Sequence, residues 1–423
     1  MFSLLTKGKI IDNPCCNQRH YDEGDIFTTD RGITKQAFLY TQQRQYGIHK
    51  PNPKPLVADF ASQQIPMVLK EREYTLGTIN KIFASKWLNE RQVVFGTKCN
   101  QLIALDLLNS QLTRIPTLKS SENSIPADCP CGIHSLAVNP SRTLLATGAS
   151  NTNDIAVYKL PTFDPVCVGE NAHDDWIFDL VWVDDEFLIS GSRDSRLALW
   201  KIDSAEDDKS SRMTNLFIPE YDIKKPLEIC DVPKAQKVRA LAYHVNRKEL
   251  GILSLNAYFH LWDVETFQLI NSRRLSHYKE CVCMTVSEEK KLYAIGSQSH
   301  VTLLDPRSPV ANPQTVPSKH RDRGIRSVCF NSDIISIGTG IGYMLFYDLR
   351  ANKYLEHGCK HSLSLNVSKG WLRLDDNFRD FFIDQEYPNA IYTHSYDESG
   401  TRLFAAGGPL PAGLWGNYAG MWY

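Results

Sequence analysis

The sequence lacks any apolar run approaching the roughly 18–20 residues that a membrane-spanning helix needs. It also lacks the marks of a leader. MFSLLTKGKIIDNP holds a short apolar stretch before Lys7, and no small-residue cleavage site follows. Neither a membrane anchor nor secretion is expected. Charge of one sign is missing as well: 47 Lys+Arg stand against 48 Asp+Glu, a formal charge of −1 with a pI near 6.9. That balance excludes the basic excess of a general nucleic-acid binder but leaves room for a local cationic patch. The 11 cysteines are odd in number and scattered, so a disulfide framework is not expected and a reducing compartment is. What is present is ordinary for a folded chain, 42% apolar and 22% charged over 423 residues. Disorder throughout is excluded, and one large β-architecture can use the whole length.

Two Cys-x-Cys pairs stand out. Residues two apart on a strand share a face, so Cys281 and Cys283 read as small buried hydrophobes. Cys129 and Cys131 have His134 nearby but no complete fourth-ligand pattern, so metal binding there stays open and no cofactor is expected.

Residues 1–55 read as a loosely ordered arm ending in PNPKP, with Pro51, Pro53 and Pro55. Residues 56–76 read as a helical segment followed by a strand available to close a ring. Leu56, Phe60, Val68 and Leu69 have helical spacing, interrupted at Pro66. From residue 77 to 423 the pattern is short β-rich runs punctuated by Asn, Asp, Gly and Ser. One phrase returns: GTKCNQLIALD, GASNTNDIAVYK, GSRDSRLALWK, LSLNAYFHLWD, GSQSHVTLLD and GTGIGYMLFYD, with a degenerate seventh copy in GGPLPAGLWGNYAGMWY. Most copies follow a strand of one kind, such as GIHSLAV, WIFDLVW, KVRALAY and GIRSVCF. Repeats of about 40–45 residues with four strands each predict an all-β, seven-bladed WD40 propeller.

Register then locates candidate site residues. Arg239 and Arg326 fall in one slot of the innermost strand, with His134, Asn80 and Tyr392 assigned to that slot elsewhere. Lys81 is next to Asn80, and Lys98 and Arg193 share the turn between the second and third strands. Five cations therefore converge on one mouth of the channel. Arg forks in a concave site suit carboxylates or phosphates, and Lys adds point charge. Other constellations read as structural. His173, Ser190, Asp194 and Trp200 form the hydrogen-bond chain of the repeat rather than a catalytic set, and Gly338, Gly340 and Gly342 lack the helix that a phosphate loop needs. At the other end of the blades, LLDPRS (Asp305, Arg307) and FYDLRA (Asp348, Arg350) share the D-x-R form in consecutive repeats.

With a preceding helical segment, those two boxes resemble the docking elements of WD40 substrate receptors of cullin-4 RING ubiquitin ligases. The stretches LKEREYTLGTINKIFASKWLNERQVVFGTKCN, LPTFDPVCVG, HDDWIFDLVW and AAGGPLPAGLWGNYAGMW are similar to that family, and within it to the subfamily that reads C-terminal di-glutamate degrons. The similarity runs from about residue 56 to the end. It implies a non-enzymatic receptor that takes substrate proteins with acidic C-termini at Lys81, Lys98, Arg193, Arg239 and Arg326, with His134 beside them. It also implies a propeller-type adaptor of the damaged-DNA-binding-protein class, docked through Leu56, Phe60, Leu69, Asp305, Arg307, Asp348 and Arg350. A scaffold binding phosphorylated or acidic internal peptides is the alternative. A cytoplasmic location, with nucleus or centrosome as further addresses, is the expectation, although residues 1–55 lack the dense Lys/Arg cluster of a nuclear signal.

Overall fold

A computed structural model describes residue 45 and residues 61–129, 131–203, 221–308, 313–320, 323–357, 361–383 and 386–423. Leu56 and Phe60 lie outside the described residues. The described strands form seven blades around a channel. Their innermost strands are Ile82–Trp87, Ala137–Val138, Ile177–Trp182, Val238–His244, Cys283–Ser287, Ile325–Asn331 and Asn389–Tyr396, in blades one to seven. Each blade is an antiparallel meander. In blade one, Ile82–Trp87 pairs with Gln92–Thr97, then Leu102–Asp106, then Gln111–Ile115.

The blades pack face to face because successive residues of a strand point to opposite faces, and both faces of an inner strand are covered. Val93 and Phe95 enter the core shared with blade seven, while Val94 between them enters the core shared with blade two. Ile334 and Ile335 divide in the same way between blades seven and five. One apolar cluster fills each of the seven gaps between neighbouring blades. Outer strands such as Gln268–Arg274 bury little and carry the polar residues.

Two connections depart from a plain repeat. Glu71–Glu73 pairs antiparallel with Gly420–Trp422 as the outer strand of blade seven, so the two ends of the propeller sequence meet in one sheet. That closure gives blade seven its outer strand from the other end of the propeller sequence. It is reinforced on both sides: Lys70 and Tyr423 exchange backbone bonds of 3.0 and 3.1 Å, and the Tyr418 hydroxyl donates to Glu71 Oε1 at 2.5 Å. Second, Asp222–Lys224 adds to the outer edge of blade two, parallel to Asp164–Gly169, before the chain supplies the outer strand of blade three at Glu228–Asp231. This segment straps blades two and three together.

Candidate functional site

The channel encloses about 370 Å³ and is lined by the innermost strands of six blades and, in blade two, by His134, Ser135 and Leu136 just ahead of Ala137–Val138. Five of these strands share a defect at the end nearest the turns between second and third strands. The register slips by one residue between Ile82 and Ala84, Ile177 and Asp179, Val238 and Ala240, Ile325 and Ser327, and Ile391 and Thr393. A bulge leaves its extra residue unpaired and re-aims the side chain. Those extra residues are Phe83, Phe178, Arg239, Arg326 and Tyr392, and each lines the channel. Blade two supplies His134, since Ile133 N–H donates to Thr97 as Ile177 does to Thr152 and Ile325 to Ser297. Blade five supplies Val282.

This register corrects one assignment. Phe83, not Asn80, occupies the slot in blade one, because the bulge follows Ile82 and the residues before it belong to the incoming loop. Lys81 therefore sits two residues ahead of the slot, and its carbonyl accepts from Lys98 N–H at 2.9 Å. The same bond joins Trp176 to Arg193, Lys237 to Leu255, Lys279 to Gln298 and Gly324 to Gly340. Lys98 and Arg193 are thus equivalent turn residues, as their sequence spacing predicts.

The two lysines are held by the longer turn of blade seven. Lys81 Nζ donates to the carbonyls of Pro409 and Pro411 at 2.8 and 2.7 Å, and Lys98 Nζ to Ala412 at 2.6 Å. Gly408 permits this approach, since a Cβ there would lie 2.6 Å from that of Lys81. An ammonium carries three donors, so Lys81 retains one and Lys98 two. Lys81 is 1% exposed. Burial, with Lys98 nearby, brings its pKa down to about 7.

A ladder of rings runs from blade seven to blade three, and Arg239 of blade four caps it. Tyr392 meets Phe83 edge-on at 5.3 Å, Phe83 stacks on His134 at 4.7 Å, and His134 meets Phe178 edge-on at 5.0 Å. The Arg239 guanidinium lies 4.8 Å over Phe178 and forms no hydrogen bond or ion pair with the described residues. Burial pulls its pKa down, against the pull of Asp179. Arg326 donates to Glu280 at 2.6 Å, yet its Nε is buried without a partner. Arg193 lies over Trp176 and 3.5 Å from Asp175. His134 differs from these cations. Burial, with Arg239 beside it, drops its pKa to about 3, and it is hydrogen-bonded to Cys131 at 3.0 Å, so it is a neutral rung of the ladder.

Arg239, Arg326 and His134 thus share the channel wall, while Lys81, Lys98 and Arg193 stand around its rim. Register adds Lys237 and Lys279, whose carbonyls accept the turn bonds of blades four and five as that of Lys81 does in blade one. The signal in the sequence was their position two or three residues before the innermost-strand slot.

The other constellations are structural. His173 bridges Asp194 at 3.1 Å and Ser190 at 2.8 Å, and Trp200 Nε1 donates to the same Ser190 hydroxyl at 2.9 Å. Ser190 is fully buried, so no substrate reaches it. Of the three glycines, Gly342 takes a positive φ of 79°, and Gly340 is required because a Cβ would lie 2.1 Å from the Arg323 carbonyl. Cys281 and Cys283 do not share a face: the strand begins at Cys283, placing Cys281 in the core with blade four and Cys283 against blade six. Among the described residues no group of three metal-ligating side chains forms, at Cys129 and Cys131 or elsewhere.

Third strands run from the mouth to the far face, so Asp305 and Asp348 end up there. Arg307 closes a two-bonded fork onto Asp305 at 2.9 and 2.7 Å. Asp348 is buried and accepts from the backbone of Arg350 and Ala351, leaving the Arg350 side chain exposed. The chain is helical over 61–67, but Leu69 is 8% exposed and packs with Ile334, Phe346 and Trp422. Its side chain is committed to the propeller's own core and is not offered to a partner. The family model of the DDB1- and CUL4-associated factor 12 β-propeller matches residues 65–423.

Proposed function

We propose a receptor function from one premise: the chain belongs to the DDB1- and CUL4-associated factor 12 β-propeller family. Membership makes it a substrate receptor of the cullin-4 machinery with a DDB1-type adaptor. Its substrates carry an acidic C-terminus of the di-glutamate type, which enters the channel mouth. The observation that carries this reading is Arg239, a half-buried guanidinium on the channel wall that forms no ion pair with a described carboxylate and feels only the field of Asp179. A guanidinium confined in a concave wall and left without an ion-pair partner suits an anionic ligand that can take its free donors. A chain ending in Glu-Glu offers three carboxylates within one residue's reach of each other. Arg239 and Arg326 meet them from the wall, and Arg193, Lys81 and Lys98 from the rim.

The experiment is a binding comparison between a Glu-Glu-terminated peptide, its C-terminal amide and a version with one residue added. The amide and the extended peptide should each bind at least about tenfold more weakly, roughly 1.4 kcal/mol. Equal affinities for all three would favour internal acidic or phosphorylated peptides instead.

Adaptor docking uses the far face at Arg307 and Arg350 together with the segment ahead of the propeller, including Leu56 and Phe60. Truncation through residue 60 tests this without touching Leu69 or the closing strand. Loss of adaptor co-purification with peptide binding retained is the expected result, and full co-purification would contradict it.

A further inference from the structure

Beside the mouth lies a second cavity, of about 460 Å³, that the cationic ring does not use. It sits between residues 119–127 and the second-to-third-strand turns of blades one and two, and Cys131 borders both it and the mouth through its bond to His134. Its lining is hydroxyl and amide rather than charge: Asn100, Ser120, Ser124, Ser150 and Thr152, with Lys119 as its cation.

The cavity is braced from behind. Ser120 and Ser124 donate to the buried Asp154 at 2.5 and 2.6 Å. Ser121 donates from its backbone and its hydroxyl to the buried Glu170 at 2.9 and 2.6 Å. The strap clamps the same loop, with Tyr221 Oη bonded to both the N–H and the carbonyl of Lys119. Against this satisfied frame two polar atoms stand out. Thr152 is 8% exposed, and among the described residues neither its hydroxyl nor the buried Asn100 Oδ1 atom has a partner. Buried polar groups are nearly always hydrogen-bonded, and both residues line the cavity, so a ligand that lets these two side chains turn toward it would supply the bonds they lack.

The chemistry of that ligand follows from the wall. Two carboxylates behind the hydroxyls disfavour an anion, and the hydroxyls and amides disfavour an apolar group. A neutral ligand rich in donors and acceptors fits, and continuity with the mouth at Cys131 identifies it. We propose that this cavity is a second subsite that binds the main chain of the substrate immediately upstream of its acidic terminus, through Thr152, Asn100 and the neighbouring hydroxyls. The inference rests on the mouth holding the terminus. An extended chain advances about 3.3–3.6 Å per residue, so each residue added upstream carries further amides over this wall. Because the contacts are to main chain, the subsite adds affinity without selecting side chains.

The test compares two free-acid peptides, Glu-Glu and Gly-Ser-Gly-Ser-Glu-Glu, on the full chain and its Thr152→Val variant. On the wild type the longer peptide should bind about tenfold tighter or better, and N-methylation of its upstream amides should remove that gain. Thr152→Val should remove most of the gain while leaving Glu-Glu binding unchanged. Removing a buried hydroxyl without a partner is not expected to lower the melting temperature, so misfolding does not mimic the result. Equal affinity for the two peptides, or a Thr152→Val effect of the same size on both, overturns the subsite while leaving the mouth intact. Absence of binding by either peptide overturns the mouth reading and the subsite with it.

Discussion

The two faces of the propeller carry similar residues in opposite states. On the far face, cations are spent on neighbours: Arg91 on Asp106 at 2.7 Å, Arg307 on Asp305 at 2.7 Å, Arg247 on Glu249 at 2.8 Å, Arg402 on Asp397 at 2.9 Å, and Lys290 on Asp333. At the mouth, Arg239, Lys237 and Lys279 form no ion pair among the described residues, with Asp179 acting on Arg239 only through its field, and Lys81 and Lys98 bond carbonyls, which leave their charge uncompensated. Arg193 and Arg326 face one carboxylate each, Asp175 and Glu280. A formal charge of −1 therefore conceals a polarised molecule. On the far face Arg91 and Arg307 are half-exposed, in pairs that stabilise little, and Asp333, Asp397 and Glu249 are largely buried with their cations, while mouth charges are held in waiting.

Breaking the mouth should give the largest effect. Arg239→Gln removes the unpaired guanidinium from the wall, and loss of one partner of a desolvated charge pair costs about 2–5 kcal/mol. Calorimetric titration with a Glu-Glu-terminated peptide should show that loss. The melting temperature should change little, since Arg239 forms no hydrogen bond or ion pair with the described residues and meets only the Phe178 ring.

The next effect is a pH dependence. Lys81 titrates at about 7 in the folded chain, well below an ordinary lysine. Its charge, and its attraction for carboxylates, is present below that pH and lost above it, so peptide affinity should fall severalfold from pH 6 to pH 8. His134 at about 3 and Cys131 at about 11 keep their charge state across this window. The profile should flatten in Lys81→Met. For stability the sign is reversed: the unfolded chain holds the Lys81 proton more tightly, so this residue's penalty is full below pH 7 and relieved as pH rises toward 10.5.

How much of this was legible in the sequence follows from the repeat. Period and turn chemistry placed seven blades and put His134, Arg239, Arg326 and Tyr392 in one slot, because each bulge follows the same apolar residue. Blade one failed because the count began at its incoming loop, and periodicity does not show where a strand becomes irregular. Leu69 looked like a helix-face anchor because helical spacing and core contact use the same residue type. The strap at Asp222–Lys224 was illegible for another reason: a three-residue strand that pairs with a different blade leaves no period to read. The hydroxyl-lined cavity was illegible too, since Asn100 and Thr152 meet through tertiary folding.

Two smaller effects sharpen the contrast between the faces. Glu280→Gln frees Arg326 from its partner and should tighten peptide binding by up to about fivefold, the worth of a partly exposed pair near 1 kcal/mol. Asp305→Ala breaks the Arg307 fork on the far face and should leave peptide affinity unchanged, with a stability loss below about 1 kcal/mol. A peptide effect from Asp305→Ala would mean that the two faces are coupled.

The most direct measurement is a double-mutant cycle between Arg239 and the terminal carboxylate of the ligand. Wild type and Arg239→Gln are each titrated with a Glu-Glu-terminated peptide and with its C-terminal amide. If the guanidinium holds that carboxylate, the two changes are strongly non-additive, with a coupling of about 1.5 kcal/mol or more and little further loss on amidation once Arg239 is gone. Additive losses, with amidation costing the variant as much as the wild type, would contradict the account.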